Sequence, residues 1–495
     1  MSRRTVSVAI MFGVILVTSV VGIITGHRVT VRLEEWTVGG RRLGSGLIWF
    51  LMGGEIYTTF TFLGASGYAY ANGTPAFYIL VYGTLGFALN YYYVQPMVWH
   101  MAKRHGFVTQ PDFFQHRFQN RWLTTLVAVI GIVFLIPYIR LQLVGLGAIV
   151  KIMSYGTVSP ALAMIVSFLL VVNFINVSGI RGTTWSRVIK NVLMIVTVLF
   201  LGFGIPAIYF GGIGPLFHKM IVEHPHYLIL PGHTKINGVL WFMSTMLLTG
   251  MGFSMFPHAW PSLYSVRSDK VIRRNAIFLP FYQVALLLMF IIGFAAVLLL
   301  PHLSNGGNYS LLDLTVKTHP PTLVALVGSA GALTAIVPAS IIVLAAATIF
   351  SQNIYQSLFK RAAPDSEVVK VSRIVVVVLV AIGLFFTLAA PTGLVPLLLL
   401  YDGMTQFFPA VVLAFAWRRV TGWGAFSGAF SGVALVSILV LTHHDPVGGV
   451  NAGLIGVALN TIVTIIVSLA TAKPQAEVVE EYTTVLLTTD GTSVS

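Results

Sequence analysis

The chain has no cysteine. That excludes disulfide bridges, thiolate metal sites and cysteine nucleophiles. Charge is the second scarcity: 9% of the 495 residues are Asp, Glu, Lys or Arg, where a soluble domain carries roughly 25%. Acidic groups are scarcest, 15 against 29 basic ones. What fills the chain instead is apolar, with 56% hydrophobic residues. No soluble core of this length hides so much apolar surface, so the lipid bilayer is the solvent for most of it. The net charge of +14 then reads as orienting charge in loops, not as a nucleic-acid surface.

Crossing ~30 Å of hydrocarbon takes about 20 apolar residues in a helix. Such runs fall near 5–25, 46–71, 74–98, 122–150, 158–178, 189–212, 236–258, 275–300, 322–352, 369–389, 392–416, 422–442 and 451–472. They predict an all-α integral membrane protein of about 13 transmembrane helices. A transporter domain is expected over 1–472 and a disordered cytoplasmic tail over 473–495, where Glu477, Glu480, Glu481 and Asp490 fall. The first run lacks a small-x-small cleavage site and is read as a retained span, not a signal peptide. With the N-terminus outside, 22 of the 29 basic residues fall in inside segments and six in outside ones. The inside set includes Arg181, Arg187 and Lys190. This bias orients a multi-pass protein of the cell membrane with its C-terminus in the cytoplasm.

Two spans contain helix breakers. The second reads Met52-Gly53-Gly54-Glu55-Ile56-Tyr57-Thr58-Thr59, and the seventh reads Thr249-Gly250-Met251-Gly252-Phe253-Ser254. Interrupted helices at membrane depth survive only where they are buried in protein or line a wet cavity. Carriers use them to bind ions and substrates; close packing through small residues is the alternative reading. Each cluster opens a block of five spans, about 46–212 and 236–416. Because five is odd, the second block must be inverted relative to the first.

Three charges remain within spans: Glu55, Arg140 and Asp402. Such a residue costs roughly 2.5–3.5 kcal/mol near the bilayer centre, so it is paired, functional or both. Arg140 offers a fork that fits a carboxylate; it either binds an anionic substrate or pairs with Glu55 or Asp402. Glu55 sits at the break, where water should reach it and let it take up and release a proton. Asp402, beside Tyr401, can do the same unless it lies nearer the interface.

Several segments resemble the sodium:solute symporter family. Glu35-Trp36-Thr37-Val38-Gly39-Gly40-Arg41 is similar to its W-x-x-G-G-R signature. Thr109-Gln110-Pro111-Asp112-Phe113 with Arg117-Phe118 is similar to its T-x-P-D-F loop. Ile349-Phe350-Ser351-Gln352-Asn353-Ile354-Tyr355 is similar to its I-F-T-R-D-I-Y helix end. Within the family the monocarboxylate permeases are most similar, through Phe50 to Thr58, Ile136-Pro137-Tyr138, Leu141-Gln142-Leu143, Pro257-His258, Val271 to Ala276 and Val337-Pro338-Ala339. The resemblance implies a leucine-transporter-type 5+5 inverted repeat. It also implies a sodium site made by carbonyls of Gly54 and Tyr57 and a hydroxyl pair on a later helix. That pair falls on Val337 and Pro338, which have no side-chain oxygen; Thr334 and Ser340 lie nearby.

The expected function is alternating-access import of small monocarboxylates such as pyruvate, lactate or acetate, coupled to H⁺ or Na⁺. Tyr57, Thr58, Arg140, Gln142, Thr249, Ser254 and Tyr401 are expected to meet the substrate. Gly54, Glu55, Thr334 and Asp402 are expected to serve the ion. No cofactor is expected, a monomer is possible, and the oligomeric state is left open. The alternative within transport is a sodium-coupled symporter of an amino acid, proline or a pantothenate-like acid. A nutrient sensor would need a signalling domain, for which the tail after 472 is too short. An enzyme is not expected: His105 with Asp112, and His443, His444 and Asp445, lack catalytic spacing.

Overall fold

The computed structural model describes residues 3–26, 33–41, 43–232, 238–389 and 400–489. Among these there are helices and no strands, as lipid demands of a chain that must satisfy every backbone group internally. Helix α1 is Arg3–Gly26. Helices α2 (Ser45–Ile56) and α3 (Phe60–Asn72) form one span bent by 60° at a short break. Helix α4 (Tyr78–Gly86) runs through a π-helical stretch, Phe87–Val94, into α5 (Gln95–His105). Helix α6 (Gln110–Phe118) precedes the long α7 (Arg121–Met153) and α8 (Pro160–Phe210).

The second half repeats the motif of an interrupted first helix. Helix α9 (Val239–Gly252) gives way to a 3-10 turn at Phe253–Met255 and an extended Phe256, then to the short α10 (Ala259–Tyr264). Helices α11 (Asp269–Leu299), α12 (Pro321–Ile349), α13 (Asp365–Ala389), α14 (Leu400–Met404) and α15 (Phe408–Ala416) complete it. The breaks are where Gly53-Gly54 and Gly250-x-Gly252 predict them, the second displaced a few residues toward the C-terminus.

Eight helices are long and apolar enough to span among the described residues, nine if the bent pair is one span. The shorter apolar α9 and the run from α4 to α5, interrupted by its π-helical stretch, lie outside that count, and the expected span 392–416 begins outside the described residues. Two expectations need correction. First, spans 158–178 and 189–212 merge into the 51-residue α8. The loop expected to carry Arg181, Arg187 and Lys190 is therefore helical. Second, the tail expected to be disordered carries a helix: after α16 (Gly422–Leu441) and α17 (Ala452–Ala470), which match the last two expected spans, comes α18 (Ala476–Thr489).

Helices α16 and α17 pack through small residues, with Gly424, Gly428 and Gly432 each one turn apart. A Cβ on Gly428 would lie 1.9 Å from Thr464 Oγ1, and one on Gly424 2.0 Å from Ser468 Oγ. Without a hydrophobic force between helices in lipid, such close approach is what holds a pair together.

Helix α18 docks where α5 ends and α6 lies. Glu481 Oε1 accepts from His105 Nε2 at 2.7 Å and Arg104 Nε at 3.0 Å, and Tyr482 is fully buried beside His116. Among the described residues, His105, His116 and Glu481 are the only group placed to hold a metal ion, but the guanidinium on Glu481 makes it an ion-pair cluster. Burial, and then the neighbouring His105, hold the His116 imidazole below the ordinary value of 6.5. The unfolded chain then binds the proton more readily, so this contribution is full above the ordinary value and is lost as pH falls through it. The melting temperature of the wild type should therefore fall more steeply from pH ~7 to ~5.5 than that of His116→Gln; equal slopes would remove His116 as the cause.

Candidate functional site at the break of the second span

The break follows from Gly53-Gly54. Helix α2 makes its last regular turn with Tyr57 N on Gly53 O at 3.3 Å, and Tyr57 then leaves helical space at φ −89°, ψ 85°. Thr58 N turns back to Ile56 O, and α3 starts with Phe62 N on Thr58 O. Gly54 O at the end of α2 and Tyr57 O in the break thus fall outside the regular ladder of helical bonds. A single face of α8 meets this end of the helix. Residues 187, 190 and 191 are spaced i, i+3, i+4 and so share one side of a helix. Arg187 Nη1 donates to Leu51 O at 3.2 Å and Asn191 Nδ2 to Phe50 O at 2.7 Å. Lys190 Nζ donates to both Gly54 O and Tyr57 O, each at 2.7 Å. The close approach needs Gly54: a Cβ there would stand 2.9 Å from Asn191 Nδ2.

Glu55 lies inside this junction and is 3% exposed. Its Oε1 accepts from Ser262 Oγ of α10 and from Arg187 Nη1 at 3.4 Å, while Oε2 has no hydrogen-bond partner. This corrects two readings. Glu55 is sealed between helices rather than reached by water, and the cation at Glu55 is Arg187 rather than Arg140. Both Arg187 and Lys190 are buried, so two of the 22 basic residues assigned to loops belong to the bundle interior.

From the opposite side α7 reaches the break with Gln142. Its Oε1 accepts from Thr59 N at 3.2 Å and Thr59 Oγ1 at 2.6 Å. Its Nε2 is buried with no hydrogen-bond partner, a donor left over at the start of α3. Tyr138, one turn earlier on the same face, packs its ring against Phe256 and His258 at the second interruption. Tyr401 meets Phe256 edge-on at 4.8 Å from the other side. The rings of Tyr138, Phe256, His258 and Tyr401 thus join the second interruption to α7, which carries Gln142 to the first.

The remaining expected residues are placed as follows. Arg140 is half-buried and lies about 200° round α7 from Gln142. Tyr57 directs its hydroxyl to Tyr282 O at 2.7 Å, and Thr58 is buried at the turn. Thr249 bonds its own helix at Thr245 O, and Ser254 accepts from Asn90 of the π-helical stretch. Thr334 bonds Gly331 O within α12, where Val337 and Pro338 are also buried. Asp402 is buried against the first turn of α17, where a Cβ on Gly453 would lie 2.8 Å from its Oδ1. A helix N-terminus favours a carboxylate, and Asp402 lies at that end rather than in the Glu55 cluster. A polar cavity of about 650 Å³, lined by Asp112, Asn120, Arg121, Gln352, Asn353 and Arg361 among others, opens elsewhere and includes none of the break residues.

Sequence reasoning missed Arg187, Lys190, Asn191, Thr59 and Ser262. The Arg-x-x-Lys-Asn spacing running straight into the apolar residues from Val192 was the available signal. It was masked because cations between two apolar runs read as a loop.

The sodium:solute symporter family profile matches residues 36–432. The uncharacterized symporter YhjB of Bacillus subtilis is 39% identical over 485 residues, covering 95% of this chain and 98% of that protein. A second uncharacterized symporter of that organism, YodF, is 33% identical over 458 residues, covering 92% and 91%. A monocarboxylate transport permease protein of Rhizobium johnstonii is 28% identical over 458 residues, covering 88% and 90%. In three dimensions, a Na⁺-coupled sialic acid symporter in its substrate-bound outward-open state superposes with a TM-score of 0.79 at 17% identity, covering 95% of this chain and 98% of that one. A nucleobase-cation-symport-1 family transporter in a closed conformation gives 0.55 at 13% identity, covering 90% and 97%. The fold is that of the leucine-transporter type, and the protein is a multi-pass, cation-coupled secondary transporter rather than an enzyme. The chain belongs to the sodium:solute symporter family.

Proposed function

We propose that the chain imports small monocarboxylates of the pyruvate, lactate and acetate class across the cell membrane, with H⁺ as the coupling ion. The observation that carries this reading is the charge at the break. Arg187 and Lys190 supply two buried cations against the single carboxylate of Glu55, and the spare donor of Gln142 lies on the other side of the same turn. A site with one positive charge in excess, in a low-dielectric interior, favours a monoanion. The permease of Rhizobium johnstonii supports the substrate class. Helix α12 carries Val337 and Pro338 where a sodium site would need hydroxyls, which favours H⁺ over Na⁺. The N-terminus is outside and the C-terminus cytoplasmic in this reading, since the asymmetry of Lys and Arg survives moving Arg187 and Lys190 into the bundle.

Arg140 stays in the proposal as the cation that meets the carboxylate on its way in, being half-buried on the helix that carries Gln142. Arg140→Ala is expected to lower pyruvate uptake by about tenfold or more, the worth of one charge-assisted contact. Full uptake by this variant removes Arg140 from the pathway. The reading itself is tested by uptake of labelled pyruvate, lactate, acetate, proline and pantothenate into proteoliposomes. The three monocarboxylates are expected to accumulate and proline not; accumulation of proline or pantothenate alone overturns the substrate class.

A further inference from the structure

The two carbonyls at the end of α2 form a cation site. Gly54 O and Tyr57 O converge on one point, at the negative end of α2, where the amides of Tyr57 and Thr58 go to Gly53 O and Ile56 O and leave these two carbonyls to the lysine. Unwound carbonyls at a half-helix end are the groups with which carriers hold small free cations. Here the point of convergence is taken by a side chain of the chain itself. Lys190 is fully buried, and both of its bonds are 2.7 Å, within the range of charge-assisted contacts and shorter than the usual neutral N–H···O distance. Its position is set by its neighbours: Arg187 on Leu51 O and Asn191 on Phe50 O pin α8 to α2 on the same face. Gly54 leaves room for the Asn191 amide beside the lysine, since a Cβ there would stand 2.9 Å from Asn191 Nδ2 and 3.5 Å from Lys190 Nζ.

We infer that Lys190 is a tethered cation, whose ammonium fills the carbonyl site at the end of α2 in place of a free monovalent ion and whose charge selects a monoanionic substrate. The selection follows from the local charge count and rests on the substrate reading above. Arg187 and Glu55 cancel, and Glu55 is the one carboxylate in electrostatic reach of Lys190 among the described residues. The ammonium therefore has no side-chain counter-ion of its own. A monocarboxylate supplies one. A zwitterion such as proline brings a second ammonium against Lys190, and a neutral solute brings nothing. A fixed internal cation is thus a specificity determinant of this chain's own site.

The tethered cation is tested without substrate, by melting purified full-length protein in chloride salts of Na⁺, K⁺, methylammonium and choline. The wild type should melt at one temperature in all four. Lys190→Ala should melt lower, and methylammonium or Na⁺, but not the bulky choline, should restore part of the loss by entering the emptied site. A salt response of the wild type equal to or larger than that of Lys190→Ala overturns the assignment. Lys190→Met keeps the stem without the charge and carries the second arm. It should bind pyruvate at least about tenfold more weakly than the wild type and lose its preference for pyruvate over proline; wild-type affinity in a folded Lys190→Met protein contradicts the selectivity claim. If pyruvate, lactate and acetate all fail to bind the wild type while the salt responses hold, the substrate reading fails and the tethered cation stands.

Discussion

Glu55→Gln is expected to destabilise the purified protein by about 3–5 kcal/mol, the cost of leaving a buried charge without its partner. The substitution is nearly isosteric and keeps an acceptor for Ser262, so packing is not the cause. What it removes is, among the described residues, the one carboxylate beside two buried cations, Arg187 and Lys190, which then repel each other in a low-dielectric interior. Adding Arg187→Met should recover most of the loss, because the double variant returns the junction to one excess positive charge. Thermal or denaturant melts of the four proteins in detergent give the coupling directly. A solvated, freely protonated Glu55 would behave otherwise: glutamine would mimic its protonated form, and Glu55→Gln would melt like the wild type.

The second large effect is steric. A Cβ on Gly145 would lie 1.7 Å from Thr59 Cγ2, so α7 and the start of α3 are in contact across the break. Gly145→Ala must push them apart, at about 1–3 kcal/mol, and it strains the bonds from Thr59 N and Oγ1 to Gln142 that set the turn. Uptake should fall at least about tenfold, since a displacement of roughly 1 Å at a binding site costs that much or more. Thr59→Ser removes Cγ2 and keeps the hydroxyl. Thr59→Ser with Gly145→Ala should therefore regain much of the lost uptake; no rescue would place the defect elsewhere.

The broken spans, the membrane class and the family were legible in the sequence because each rests on local pattern: runs of apolar residues, glycine pairs and short motifs. The cluster at the break was half legible. Glu55 stood out as a charge inside a span, but its cation did not. Arg187 and Lys190 lie more than 130 residues away, and a cation between two apolar runs looks like loop until the two runs prove to be one helix. Asp402 stood out for the same reason as Glu55, and depth along the chain could not show that its neighbour is the first turn of α17. The C-terminal helix was missed because Glu477, Glu480 and Glu481 read as a solvated tail. Its anchors, Tyr482 and Glu481, are isolated residues whose partners lie on α5 and α6.

One measurement tests the central claim most directly: accumulation of labelled pyruvate in proteoliposomes under an imposed pH gradient or an imposed sodium gradient, each alone. A Na⁺-independent monocarboxylate carrier with its carbonyl site filled by Lys190 accumulates pyruvate with the pH gradient and is indifferent to replacing Na⁺ by choline. Accumulation that follows the sodium gradient and persists when the pH gradient is collapsed contradicts it.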